Sequence, residues 1–393
     1  MSEPDTEGQD ETIDDDEFSI AELGRPTYDV VTERPAREFH AWHRPRKQFV
    51  RRSQWLATVS DLYAARDPAD RLNYLGLPGS DLLDIRMLHE RICLPQGRVL
   101  RFLGFDNSIQ SGGTESVSLE VSLQQMKLRE LVHEASKVLP DDFSRIGSGD
   151  SRAYQETVKA APYDVVNIDL CSSFGIDPPR TLDSLYNALN KILAMQQRLQ
   201  PWMLLITSMI GRDVLNESAA QILFDEYLKT LKCGDFLASC RVLFEAEDPE
   251  AMTLDSCTNK DFFLAIAIGF CNWVFRLSGK RHLSRVNLRA AFYYQVFQGT
   301  GCPDMMSMAL RFTPLVAAGI DPAGLALADN VRVNECDAAV QFVRKFGRAV
   351  DVDEKLRTEP ELRQTLINES AALLLEVGYD EQEYRRWVSQ FSS

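Results

Sequence analysis

Three aspartates carry the first chemical signal in this chain. Asp106, Asp150 and Asp169 close the stretches GRVLRFLGFDNS (97–108), FSRIGSGDS (143–151) and YDVVNIDL (163–170). Each stretch reads as a strand, so each acid is predicted at a strand's carboxyl end. A lone Asp there is an ordinary turn residue. Three delivered to one edge of one parallel sheet line the crevice where open α/β sheets bind ligands. Carboxylates in that crevice can accept hydrogen bonds from ribose hydroxyls or from an amino group. Two residues past Asp169 stands Cys171, a nucleophile in principle and more plainly a small thiol at a strand end.

The elements that must position these acids alternate along the chain. SQWLATVSDLYAARDP (53–68) has helical spacing and stops at Pro68. RLNYLGL (71–77) reads as a strand broken by PGS (78–80). DLLDIRMLHERI (81–92) reads as a helix with Ser80 as its N-cap. The strand 97–108 is followed by a helix over 115–138, the strand 143–151 by a helix over 152–161, and the strand 163–170 by a helix over 181–199. WMLLITSMI (202–210) is a strand apolar on both faces. Five strands alternating with helices predict a parallel sheet with crossover helices. Residues 213–285 are helical without repeats. NLRAAFYYQVFQGTGCPDMMSMALRFTPL (287–315) is a hairpin that closes the sheet antiparallel, and 331–393 are helices with a charged surface.

This order resembles the Rossmann-like, class I S-adenosylmethionine-dependent methyltransferases, over about residues 70–315. The resemblance rests on YLGLPGS after the first strand, GFDN after the second, GSGDS after the third, IDLCSSFG after the fourth, and the final hairpin. It implies S-adenosylmethionine as cofactor. Gly76, Pro78 and Gly79 would approach its methionine part, Asp106 with Asn107 its ribose, and Asp150 with Ser151 its adenine. Asp169 would lie beside the reacting centre as the catalytic acid. The chain departs from the family in its first loop, GLPG, where an acid and G-x-G-x-G are usual. It departs again in DLCSSFG, where amino-methylating members carry N/D-P-P-Y/F. Two functions stay open on these residues: methyl transfer, with a nucleic acid as acceptor, and a catalytically degenerate scaffold or interaction subunit of a multiprotein bacterial system. A nicotinamide-dependent oxidoreductase would want G-x-G-x-x-G where GLPGSD stands.

Charge is distributed unevenly. The formal net charge is −15, but residues 1–24 carry ten acids and no Lys or Arg, which leaves a body of about −5. That tail reads as a disordered, solubilising segment. Next comes RPAREFHAWHRPRKQFVRR (34–52), with Arg34, Arg37, Arg44, Arg46, Lys47, Arg51 and Arg52 against one acid, Glu38. Cations interleaved with Phe39, Trp42 and Phe49 can bind phosphates and stack bases, so this segment reads either as a nucleic-acid arm or as aromatics packed on the body. The eight cysteines form no C-x-x-C pair, which argues against a metal site and fits reduced thiols in a cytoplasmic protein. The longest apolar run, FFLAIAIGFCNWVF (262–275), is too short to span a bilayer and reads as a buried helix, so no membrane contact is expected. The predicted organisation is an acidic tail (1–24), a basic and aromatic extension (25–69), a Rossmann-like core (70–212), a helical insertion (213–286), the closing hairpin (287–316) and a C-terminal helical region (317–393).

Overall fold

The computed structural model describes residues 37–391 except 65, 68, 108–113, 197–199, 282–283, 297–301 and 316–332. The acidic segment 1–24 and residues 34–36 of the basic segment lie outside the described residues. The chain divides into two units, Met1–Arg37 and Glu38–Ser393, and the second carries the sheet and the helices of the described residues.

A continuous helix opens this second unit. It runs from α1 (Pro45–Val50) through a π-helical turn (Arg51–Leu56) into α2 (Ala57–Tyr63). Then come β1 (Leu72–Gly76), α3 (Leu83–Leu88), a second π-helical turn (His89–Cys93), α4 (Leu94–Gln96) and β2 (Leu100–Phe105). They are followed by α5 (Thr114–Lys127), β3 (Lys137–Leu139), a 3-10 turn (Phe143–Gly147), α6 (Arg152–Ala160) and β4 (Val165–Asp169). Next are α7 (Leu185–Met195), β5 (Trp202–Met209), α8 (Glu217–Thr230), α9 (Gly234–Leu243) and α10 (Asn259–Arg281). The hairpin strands are β6 (Ser284–Tyr294) and β7 (Met305–Pro314). The chain closes with α11 (Glu335–Phe346), β8 (Val350–Asp351), α12 (Val352–Thr358), α13 (Pro360–Glu376) and α14 (Glu381–Val388).

The strands form one eight-stranded sheet in the order β3-β2-β1-β4-β5-β7-β6-β8. The first five are parallel, and β7 enters antiparallel between β5 and β6. The 3-2-1-4-5 order is that of a doubly wound sheet, whose direction reverses between β1 and β4. With the antiparallel hairpin beside β5, this is the class I methyltransferase fold expected from the sequence. Side chains alternate faces along each strand. Leu75, Leu103, Val166, Leu204 and Ile206 join the core beneath α6, α7, α8, α10 and α11. Tyr74, Phe102, Val165, Met203 and Leu205 join a second core under the opening helix, α3 and α5. A third cluster packs α13 and α14 on Leu83 and Phe39.

The structure corrects several of the expected elements. The third strand is Lys137–Leu139, not 143–151. Residues 143–147 form a 3-10 turn capped by Asp142, and the preceding helix ends at Lys127 rather than 138. Ser80 is not an N-cap. Leu82 takes that place at φ 53°, with no side-chain hydrogen bond. Cys233 and Cys336 are joined in a disulfide, which corrects the reading of eight reduced thiols. The apolar run 262–275 lies inside a helix of 23 residues. By length and composition Asn259–Lys280 could cross a membrane, but 78% of its most apolar window is buried in the protein, as expected of a core helix.

Candidate functional site

The loops after the first four strands converge on one cleft of about 450 Å³. After β1, Leu77 to Asp81 line it, followed by Leu83 and Asp84 of α3. Asp106 and Asn107 line it after β2, Asp141 to Ser144 after β3, and Asp169 to Ser173 after β4. Local chemistry explains how the first loop gets there. A Cβ on Gly76 would fall on the Asn167 carbonyl, so only glycine allows β1 to end this close to β4. Gly79 then turns the chain at φ 64° with open space where a side chain would stand, a conformation that favours glycine. The Phe105 and Phe143 rings meet edge-on at 5.6 Å and form an apolar wall next to Asp106. Asp142 accepts hydrogen bonds from the Ser144 amide (2.8 Å) and from Asn107 Nδ2 (3.2 Å), tying the β2 loop to the β3 loop.

The opening helix lies against this cleft. Lys47 and Arg51, four residues apart, project from one helix face. Lys47 Nζ pairs with the Asp169 carboxylate, with side chains 7% and 16% exposed, and sits 4.7 Å from the centre of the Trp55 ring. Arg51 Nε donates to Asp84 at 2.6 Å, with both side chains buried, and its Nη1 donates to the Trp42 carbonyl at 3.1 Å. Arg46 pairs with Asp353 of α12 (3.3 Å) and donates to the Gln295 carbonyl, just past β6. Thus three cations of the basic segment are turned inward, each onto an acid of a different element. Arg44 stacks over Phe391 at 3.8 Å, and exposed Arg52 pairs with Glu369 at 3.1 Å.

These burials shift titrations. Desolvation pushes the Asp84 carboxyl up against the pull of Arg51, and the Asp169 charge adds to the rise. Burial raises Tyr74, whose hydroxyl accepts from Asn167 Nδ2 at 3.1 Å. Partial desolvation, then the Asp169 charge, hold the Cys171 thiol above its ordinary value, so it stays protonated at neutral pH. Burial lowers His43, whose Nε2 stands 3.6 Å from Asp81 Oδ2.

Of the residues singled out in the sequence, Pro78, Gly79, Asp106, Asn107 and Asp169 line the cleft. Gly76 lies inside β1, where its role is close packing. Asp150 and Ser151 do not line it. Asp150 is exposed, and the Ser151 hydroxyl caps α6 by accepting from the Tyr154 amide at 3.0 Å. The place expected for them is filled by Asp141, Asp142 and Phe143, which follow the true third strand. Sequence reasoning also missed Asp81 and Asp84, and it read Lys47 and Arg51 as cations of the basic segment without their pairing to Asp169 and Asp84. For the two cations, the helical i,i+4 spacing was the available signal.

S-adenosylmethionine fits the residues present. Asp106 brings a carboxylate to the cleft, of the kind that accepts from hydroxyls, the Phe105–Phe143 wall is apolar, and Gly79 leaves open space beside the backbone. No curated protein sequence matches the chain. Among solved structures, the chain is similar to the plantazolicin methyltransferase BpumL with SAH (10% identity, 69% of this chain and 85% of that one, TM-score 0.34). It is similar also to magnesium protoporphyrin IX methyltransferase from Synechocystis PCC 6803 with bound SAH (10%, 68% and 84%, TM-score 0.29). A third is an O-methyltransferase family protein from Burkholderia thailandensis (14%, 68% and 58%, TM-score 0.31). The PP_RS20740-like family model matches residues 36–389, nearly all of the described chain, and the protein belongs to that family.

Proposed function

We propose that this protein binds S-adenosylmethionine in the cleft at the carboxyl ends of β1 to β4 and transfers its methyl group. The observation that carries this reading is the convergence of Asp106, the Phe105–Phe143 wall and the Gly79 turn on one cavity. When bound, the cofactor supplies an electrophilic methyl group, and the protein's task is to hold donor and acceptor in line. Asp106 fixes the ribose by accepting from its hydroxyls. Phe105 and Phe143 flank the base and exclude water from it. Asp169, at the end of β4, faces the acceptor and orients its nucleophilic atom, while Lys47 holds the carboxylate in place. A nucleic acid is the acceptor class we propose to test, contacted through cations of the N-terminal segment such as exposed Arg52.

A second reading, a scaffold that has lost turnover, is favoured by one feature. The Lys47 ammonium already occupies the Asp169 carboxylate that an acceptor would use. Calorimetric titration with S-adenosylmethionine and S-adenosylhomocysteine tests the cofactor reading. Methylation of a total-RNA or DNA substrate with labelled cofactor then separates enzyme from scaffold. Binding without any transfer supports the scaffold, and absence of binding removes both the cofactor and the enzyme.

A further inference from the structure

A helix lying on a sheet ordinarily buries one face and solvates the other. α5 departs from that rule. Leu119, Leu123 and Met126 pack inward on the second core. On the opposite face Val117 is 62% exposed, Val121 41% and Leu128 87%. With 3.6 residues per turn these three fall within about 40° of one another, half a turn from the buried row. Beside the stripe, on one flank, stand Glu120 and Lys127, both exposed. Gln124 stands between them and donates to Glu120 at 2.8 Å, and Lys127 forms no ion pair among the described residues. Leu94, 41% exposed, follows Glu90 in the adjoining helical run, and Glu90 pairs with Arg129 at 2.7 Å, which puts Leu94 at the Leu128 end of the stripe.

An outward apolar stripe marks a contact surface, and its flanking charges specify the partner. When two copies of one helix pair antiparallel about a two-fold axis, each flank faces the same flank of the other copy. An axis level with the Leu123–Gln124 peptide sets Glu120 beside Lys127 of the partner subunit, twice. The same register lodges Leu128 of each copy between Val117 and Val121 of the other. It also brings the two Gln124 side chains together at the axis, where a polar pair fixes register. A parallel pairing would instead set Glu120 and Lys127 against the other flank, which carries Ser118 and Gln125.

We infer that the outer face of α5 is a self-association surface whose partner is a second copy of this chain, docked antiparallel. A lasting interface buries about 800 Å² per partner. A helix of 14 residues, about 21 Å long, supplies less than that, so the pairing is a reversible equilibrium. α5 joins β2 to β3, whose loops line the cleft, so association braces that end of it.

Sedimentation velocity of the full chain at low ionic strength, over about a hundredfold range of concentration, tests this, with thermal unfolding to show that each variant is folded. The wild type is expected to shift from one chain to two as concentration rises. Leu128→Asp, at an exposed position, is expected to remain a single chain with unchanged melting. Glu120→Lys and Lys127→Glu each place like charges opposite one another twice and should each weaken association about tenfold. Mixing the two single variants, or combining both changes in one chain, should restore it. A wild type that stays a single chain throughout overturns the inference, as does a dimer indifferent to Leu128→Asp. Charge variants that fail to rescue one another overturn the antiparallel pairing on which it rests.

Discussion

Replacing Lys47 with Met keeps the length of the side chain and its contact with Trp55 while leaving Asp169 without its cation. Removing one partner of a fully buried ion pair typically costs about 3–5 kcal/mol. Asp169 is 16% exposed and faces the cleft, so water can reach it, and a cost of about 2 kcal/mol is the better expectation. For a chain of 393 residues, with an unfolding entropy of about 2.1 cal/mol/K per residue, that lowers the melting temperature by about 2.4 °C. The double variant Lys47→Met, Asp169→Asn should recover most of the loss, because the uncompensated charge is then gone. Ligand affinity should respond in the opposite sense. With Lys47 absent, the Asp169 charge is available to the sulfonium, so S-adenosylmethionine should gain affinity relative to S-adenosylhomocysteine, whose thioether is uncharged. Differential scanning calorimetry and ligand titration read both quantities. A Lys47→Met chain as stable as wild type, with an unchanged ligand ratio, would refute the pairing of these two groups.

The same geometry sets three further outcomes. Cys171→Ser should leave cofactor affinity within about twofold, and the wild-type thiol should react slowly with iodoacetamide at neutral pH; rapid labelling at that site would show a thiolate. His43 and His89 are both lowered from 6.5 by burial. Their neutral forms are therefore favoured by folding, the unfolded chain binds more protons, and stability should fall as pH drops through and below 6.5. His43→Gln with His89→Gln should flatten that part of a melting-temperature profile between pH 7 and 5, and an unchanged slope would contradict it. Because Arg46, Lys47 and Arg51 are held by Asp353, Asp169 and Asp84, RNA binding through 34–52 should engage at most about four phosphates, a log–log salt slope no steeper than about −4. A slope near −7 would mean those pairs open on binding.

The parallel core is legible wherever a strand is long and apolar enough to show itself. LNYLG, LRFLGF, VVNID and WMLLITSM are buried runs of five to eight residues, and each reads as a strand from its residues alone. The hairpin is equally clear, since two long apolar stretches flank a turn. β3 is not legible because three residues, Lys137–Leu139, are too few for alternation to register. The glycines of GSGDS then draw the strand end to Asp150, nine residues past Asp141. β8, two residues long, is hidden for the same reason. The charged helix misleads differently. Its cations pattern as an exposed arm, and what turns them inward are acids distant in sequence, 33 residues away for Arg51 and 122 for Lys47. The Cys233–Cys336 pairing, across 103 residues, is concealed in the same way. Local pattern determines which residues form a strand, while pairing across the fold decides which charges are neutralised internally.

Cofactor binding in the cleft, with Asp106 on the ribose, underlies every functional role assigned to this chain. Titration of the wild type and of Asp106→Ala with S-adenosylhomocysteine decides it, with thermal unfolding to show that both are folded. Loss of a charged acceptor for two hydroxyls costs about 1.5–3 kcal/mol, so one site per chain is expected in the wild type and roughly ten- to hundredfold weaker binding in the variant. No binding by the wild type, or equal affinity of the two chains, would contradict it.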